Sequence, residues 1–163
     1  MMAKADPDVA VTPTLLDRLI DLEPKVAADP PASRSQSVRQ LKASLRRDLE
    51  WLLNTRRIPD EAPETYRELH RSLYNFGLPD VTSMSLNSPR DKQRLLRLVE
   101  QTIAIFEPRL TAVRVRAVDS AASGPRVVRF QIEALLKMDP APEQVLFDTL
   151  LQLNSGEYQV KGE

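Results

Sequence analysis

The chain has 163 residues, with 23 basic residues balanced by 23 acidic ones, 42% apolar residues, one histidine and no cysteine. That length is one domain's worth, with enough apolar material for a core. The balance and the missing cysteines exclude a polycation that coats nucleic acid, a disulfide scaffold, a thiolate metal site and a cysteine nucleophile. Aromatic residues make up only 5%, too few for a base-stacking platform, and Gly 4 against Pro 13 leaves little for phosphate-cradling loops. No apolar run approaches the ~20 residues of a membrane span, and the first residues lack the apolar stretch of a secretory signal. The expected location is the cytoplasm, without membrane insertion.

Residues 1–33 read as a flexible N-terminal segment carrying one short helix, with Leu15, Leu16, Leu19, Ile20 and Leu22 on one side. Pro30 and Pro31 stiffen a loop over 27–33. Residues 34–163 are expected to form a single α+β domain.

Its first helix spans 34–57. Val38, Leu41, Leu45, Leu49, Leu52 and Leu53 recur at steps of three and four, which is one buried stripe. The opposite side is cationic: Arg34, Arg39, Lys42, Arg46, Arg47, Arg56 and Arg57, against Asp48 and Glu50. An acidic stretch over 58–69 follows, with Asp60, Glu61, Glu64 and Glu68. Two readings stand: the two stretches pair with each other, or the basic face docks an acidic partner.

A short helix is expected over 66–74, ended by Gly77-Leu78-Pro79. Ser88 is a good N-cap, Pro89 a good first residue and Asp91 a good first-turn acid for a second long helix. Leu95, Val99, Ile103 and Phe106 form its stripe, and Leu96, Leu98 and Ile105 widen it to burial on more than one side. Pro108 ends the helix at Glu107.

Beyond Pro108 the period falls from 3.6 to 2. Strands are expected over 110–119, 126–139 and 143–153, with a hairpin turn at Asn154-Ser155-Gly156-Glu157 and a return over 158–162. N-terminal helices packed on a C-terminal antiparallel β-sheet with a hairpin make the fold class α+β. The 143–153 strand and the return are expected to leave a sheet edge open to another chain.

Little here promises catalysis. His70 lacks a nucleophile elbow or metal motif nearby, and no phosphate-binding glycine pattern exists. No metal, cofactor or small-molecule substrate is expected. Glu107, at a helix-to-strand junction two residues before Arg109, has three readings: a structural clamp, a docking contact, or a catalytic acid. An adjacent arginine favours the ionised carboxylate, the wrong direction for a general acid.

Several blocks in order resemble a known family. Leu15-Leu16-Asp17-Arg18-Leu19 resembles its opening. Ser44-Leu45-Arg46-Arg47-Asp48-Leu49-Glu50-Trp51-Leu52-Leu53-Asn54-Thr55-Arg56-Arg57 resembles its central helix and is the most specific block. Tyr74-Asn75-Phe76-Gly77-Leu78-Pro79-Asp80, Phe106-Glu107-Pro108-Arg109-Leu110, and Phe147-Asp148 with Ser155-Gly156-Glu157-Tyr158 complete the set. The set resembles the TssE family of type VI secretion baseplate subunits, and through it the contractile-phage wedge proteins often labelled lysozyme-like. The resemblance implies a non-enzymatic baseplate part joining the TssF and TssG wedge, with TssK below, to the TssB/TssC sheath above, at the cytoplasmic side of the inner membrane. It implies that Glu107, Pro108 and Arg109 hold the wedge core. It also implies sheath contact by the C-terminal strands, at Phe147, Asp148, Gln152 and Tyr158. Arg46, Arg47, Arg56 and Arg57 are the expected docking cations. The alternative is a peptidoglycan hydrolase acting locally during assembly, which needs two carboxylates around a sugar-sized cleft. Nucleic-acid binding would rest on the basic helix face alone.

Overall fold

A computed structural model of the chain describes residues 11–20, 24–25, 33–60, 62–81, 84, 88–118, 127–152 and 155–162. The expected loops over 27–33 and 120–125 lie largely or wholly outside them, as does Leu22.

Helix α1 is short, Leu15–Leu19, and Thr14 caps its N-terminus by accepting from the Asp17 N–H. Helix α2 runs from Arg34 to Asn54. Ser33 and Gln36 form a capping box at its start, satisfying two backbone N–H groups that a helix start leaves unpaired. The stripe read from the sequence is the buried one: Leu41, Leu45, Leu49, Leu52 and Leu53. The helix ends three residues before the expected 57, because Thr55 turns to an extended backbone. Arg57 then donates to the Leu78 carbonyl at 2.8 Å, and Leu78 donates to that of Thr55 at 2.9 Å.

The expected helix over 66–74 is instead two 3₁₀ turns, Arg67–Arg71 and Leu73–Asn75. Helix α3, Pro89–Phe106, begins at Ser88 and ends at Glu107 as the capping residues and Pro108 dictate. It buries one side, through Leu95, Val99, Thr102 and Ile103. The broader burial expected of it does not occur. Leu96 and Leu98 are half-buried, and Ile105 is 45% exposed, because no second layer covers that face.

Four strands follow: β1 Leu110–Ala117, β2 Val127–Leu136, β3 Glu143–Gln152 and β4 Glu157–Gly162. They form one antiparallel meander in the order β1-β2-β3-β4. Both α2 and α3 pack on its inner face, α2 along β4 and α3 along β1. Period-2 alternation puts Phe130, Ile132, Ala134 and Leu136 of β2 inward, facing the same core as Val145, Phe147 and Leu151 of β3. Tyr158 and Val160 of β4 complete it.

One expectation is overturned here. Over most of its length the 143–153 strand is not a margin: β2 pairs with all of β3 and β4 with Phe147–Gln152, and only Glu143–Leu146 have no strand on that second side among the described residues. Alternation marks a strand's two faces but is silent on its lateral place, and the Ser155–Gly156 hairpin folds β4 to the outside. The margins are β1 and β4. In β1 the register shifts between Thr111 and Arg114, a bulge in which Ala112 takes φ 51°. That conformation costs a non-glycine residue about 1–2 kcal/mol.

Gly77 has φ +99°, and a Cβ there would lie 2.2 Å from the Thr55 carbonyl oxygen. Backbone meets backbone, so nothing can yield. Gly156 has φ +70°, but its nearest neighbour, an Arg56 nitrogen, would be 3.8 Å from such a Cβ. Gly77→Ala is therefore expected to lose about 2–4 kcal/mol in urea unfolding, against about 1 kcal/mol for Gly156→Ala. Equal losses would mean that the close approach to Thr55 contributes nothing.

Candidate functional site: a five-charge chain across the helix–sheet corner

The site grows from the end of α3. The Glu107 N–H still donates to the Ile103 carbonyl, at 2.8 Å, so the residue is fixed as the helix C-cap. Pro108 prevents another turn. Glu107 then folds its carboxylate toward the chain that leaves the helix, and one oxygen accepts from the Arg109 backbone N–H at 3.2 Å. The Arg109 guanidinium grips the same carboxylate with two prongs, Nε to Oε1 at 2.7 Å and Nη2 to Oε2 at 2.5 Å. This is the bidentate geometry that a planar guanidinium provides and an ammonium cannot.

Arg109 does a second job. Its Nη2 also donates to Asp48 of α2, at 2.7 Å, across 61 residues of sequence. Asp48 offers its other oxygen to Arg47, at 3.0 Å from Nε and 2.8 Å from Nη2. Arg47 reaches on to Asp17 of α1, at 2.9 Å, and lies over the Trp51 ring with its central carbon 5.0 Å from the centroid. Charges alternate along the whole path: Asp17, Arg47, Asp48, Arg109, Glu107. Three carboxylates and two guanidiniums tie α1, α2, the end of α3 and the start of β1 together.

The two ends of this chain differ in weight. Glu107 is 5% exposed. Burial works against the Arg109 charge, but the hydrogen bonds and charge of Glu107, then of Asp48, outweigh it and hold the guanidinium firmly protonated. Arg109 Nη1 is buried with no hydrogen-bond partner among the described residues. At the outer end, burial pushes the Asp17 carboxyl up, yet hydrogen bonds from Thr14, Arg47 and Ser44 and the Arg47 charge leave it below its usual value. Arg47 is raised in turn, burial being outweighed by Asp48 and Asp17. An exposed pair contributes about 0–1 kcal/mol, whereas removing one partner of a buried pair costs about 3–5 kcal/mol, because the other is left uncompensated. The Glu107–Arg109 end therefore dominates.

Of the three readings of Glu107, the geometry supplies the clamp. Both of its oxygens accept from Arg109, so the group serves as an acceptor and is held away from open solvent. Pro108 between the two partners is exposed.

The other expected site residues separate into two sets. Arg46 and Arg56 are exposed, as is Arg39, and none of the three forms an ion pair among the described residues. Arg47 is engaged as above, and half-buried Arg57 stands where the chain meets Leu78. The expected pairing of the basic helix with the 58–69 acids does not occur among the described residues. Lys42 pairs with Glu143 at 2.6 Å and Arg47 with Asp17 and Asp48, while Asp60, Glu64 and Glu68 stay exposed. On the strands, Phe147 and Tyr158 are 2% and 3% exposed and serve the core. Asp148 is exposed and accepts from Gln131 Nε2 at 2.8 Å, and Gln152 is half-buried at the end of β3. Burial pushes the Tyr158 phenol up to about 12, and its oxygen has no partner among the described residues.

Two residues unremarked in the sequence close the sheet margins. Asn54 at the end of α2 makes both bonds that a neighbouring strand would make to Tyr158: it accepts from the Tyr158 N–H at 2.9 Å and donates to its carbonyl at 2.8 Å. Glu100 of α3 accepts from the Val115 N–H of β1 at 3.1 Å. Val160, next on the β4 margin, is 4% exposed, whereas Lys161 and Gly162 are exposed. His70 is exposed, with Nδ1 3.4 Å from Asn75 Nδ2. Among the described residues no group of three acids or histidines could hold a metal, and no helix is long and apolar enough to cross a membrane.

The family described as baseplate wedge protein gp25 matches residues 39–141, which contain most of α2, all of α3, β1 and β2, and both Asp48 and the Glu107–Arg109 fork. Among solved structures, a chain of "The baseplate complex from the type VI secretion system" is similar at 19% identity, with a TM-score of 0.47, over 70% of this chain and 96% of that one. No curated protein sequence matches the chain.

Arg109→Ala is expected to lose about 3–5 kcal/mol in denaturant unfolding, and Asp17→Asn no more than about 1 kcal/mol. A loss at Arg109 as small as that at Asp17 would reject the clamp. The lowered Asp17 titration means that its contribution is complete above the unfolded carboxylate's titration and is lost as pH falls through the folded value. Arg47→Met should move the Asp17 midpoint upward toward the usual range, read from its carboxyl carbon by NMR.

Proposed function

The chain belongs to the baseplate wedge protein gp25 family, and from that we propose that it is a non-enzymatic structural subunit of a type VI secretion baseplate. It joins the TssF and TssG wedge, with TssK beneath, to the TssB/TssC sheath at the cytoplasmic face of the inner membrane. The observation that carries this reading is the position of four of the five charges, Arg47, Asp48, Glu107 and Arg109, within the family match. The residues that would be candidate chemistry in a hydrolase are spent on holding three helices and a strand in fixed relation. A part that passes mechanical load between neighbours needs such a corner. The type VI assignment is supported by the ordered sequence blocks from Leu15 to Tyr158. We read residues 34–163 as the wedge domain and residues 11–20 as an arm laid on α2 through Asp17 and through Val11, whose N–H donates to Ser37 Oγ at 2.9 Å.

Docking then falls to exposed groups: Arg46 on α2, Arg56 just beyond its end, and Pro108 at the corner. Sheath contact falls to the backbone at the exposed end of β4, since Phe147 and Tyr158 lie inside. Charge reversal at Arg109 is a poor probe of docking. It would set a third carboxylate against Glu107 and Asp48 and unfold the corner first.

The test is co-purification with co-expressed TssF and TssG. Arg46→Glu with Arg56→Glu is expected to cut recovery at least about tenfold with an unchanged melting temperature, since exposed charges set encounter and orientation more than stability. Undiminished recovery would remove the basic face from the interface. The purified protein is also expected to leave murein suspensions turbid. Clearing that is lost in Glu107→Gln would establish the hydrolase instead.

A further inference from the structure

The outer face of α3, the one expected to be buried and found exposed, does not look onto open solvent alone. Gln101, Ala104 and Ile105, at i, i+3 and i+4, form one wall of a groove of about 450 Å³. The opposite wall is the β1 bulge around Ala112, and Pro108 closes the end. All three wall residues of α3 are exposed, Ile105 by 45%.

The wall has the composition of a helix-packing face. Ala104 is small enough to let a second helix approach closely, and Ile105 supplies an apolar ridge beside it. The charges at the groove are Arg71, Lys137 and Glu100. Arg71 meets no carboxylate among the described residues. Lys137 Nζ donates to the Pro108 carbonyl, at 2.8 Å, and meets no carboxylate among the described residues. Glu100 has one oxygen committed to the Val115 N–H. Two cations against one engaged carboxylate leave the groove net positive. The left-handed Ala112 is a second, independent sign. A non-glycine residue held there persists only where its surroundings demand it, and such strain collects at binding sites.

We propose that this groove seats an acidic amphipathic helix of another polypeptide, its apolar stripe on Ala104 and Ile105 and its carboxylates toward Arg71 and Lys137. The inference rests on the wedge reading only in seeking that polypeptide within the same assembly. The site is distinct from the basic face of α2 and from the β4 margin.

The experiment places p-benzoyl-phenylalanine at Ala104, and separately at Arg56, in the full chain in its host cells, and sequences the photo-adducts. Ala104 is expected to yield a peptide with apolar residues at helical spacing and a net negative charge. Arg71→Glu with Lys137→Glu should reduce that adduct at least about fivefold. Ile105→Ser, an exposed change that leaves the core intact, should reduce it similarly. An adduct with a second copy of this chain, one with a basic or extended segment, or one indifferent to the charge reversal overturns the proposal. An adduct at Arg56 with TssF or TssG and none at Ala104 overturns the groove and leaves the wedge reading standing. The predicted adduct at Ala104, but with a protein outside the secretion machinery, supports the groove and removes the wedge reading.

Discussion

A single guanidinium decides the shape of this protein. Arg109 is at once the partner of the α3 C-cap, the second residue of the chain leaving that helix and the anchor for α2 through Asp48. Its backbone carbonyl accepts from the Lys137 N–H at 2.8 Å, so the β1–β2 ladder starts on it as well. Lysine could supply the charge but not two prongs on Glu107 and a contact to Asp48 from a rigid plane. The order Glu-Pro-Arg follows from this geometry. Glutamate must be the cap, proline must stop the helix, and arginine must come soon enough to turn back on the glutamate. Ion pairing under burial is rarely a net gain over an apolar core, so the benefit here is one of geometry more than of stability. Apolar packing would tolerate a range of crossing angles between α2 and the sheet; a three-point charge contact admits one.

The sheet shows the same preference for a fixed outline. A four-stranded meander has two margins, and each is met by a side chain from the helix beside it, Asn54 for β4 and Glu100 for β1. The carboxamide of Asn54 mimics a strand, offering one donor and one acceptor to Tyr158 while it also bonds the Glu50 carbonyl at 2.9 Å. Such capping is how soluble sheets avoid uncontrolled edge-to-edge association. It also narrows where a strand partner could join β4, to the stretch beyond Val160; β3 over Glu143–Leu146 has no strand on that side either among the described residues.

Much of this could be read from the residues, and what could not has specific causes. The α2 stripe, the Ser88-Pro89 start of α3, its stop before Pro108, and the four strands with their inward faces all follow local rules, and all are where those rules put them. The lateral place of β3 escaped, because strand order is a property of the whole sheet. The second burial face of α3 escaped because extra apolar residues look alike whether a domain or a partner covers them. At the site, Glu107 and Arg109 were evident as neighbours, but Asp48 is 61 residues from Arg109, and no pattern within one segment joins them. One signal existed: Asp48 is an acid set among bases on a helix, a position that mere solubility would not demand. Asn54 and Glu100 gave no comparable sign, since their roles depend on backbone groups that only the assembled sheet presents.

The distribution of charge follows from the same economy. Seven bases on one stretch of a neutral chain suggest a large cationic face, yet the fold consumes part of it. Lys42 is tied to Glu143, Arg47 to two aspartates, and Arg34 lends a hydrogen bond to the Asp139 carbonyl. Arg39, Arg46 and Arg56 stay exposed, and the last two, eight and two residues from Asn54 on opposite sides of it, stand near β4. The Arg46 Cδ would lie 3.9 Å from a Cβ at Gly162, and an Arg56 nitrogen 3.8 Å from one at Gly156. Two of the unspent cations thus lie at the two ends of β4, beside the exposed tip of the margin that Asn54 only partly closes. A partner reading that margin would meet backbone in the middle and positive charge at either end, while three of the seven bases serve the molecule's own contacts.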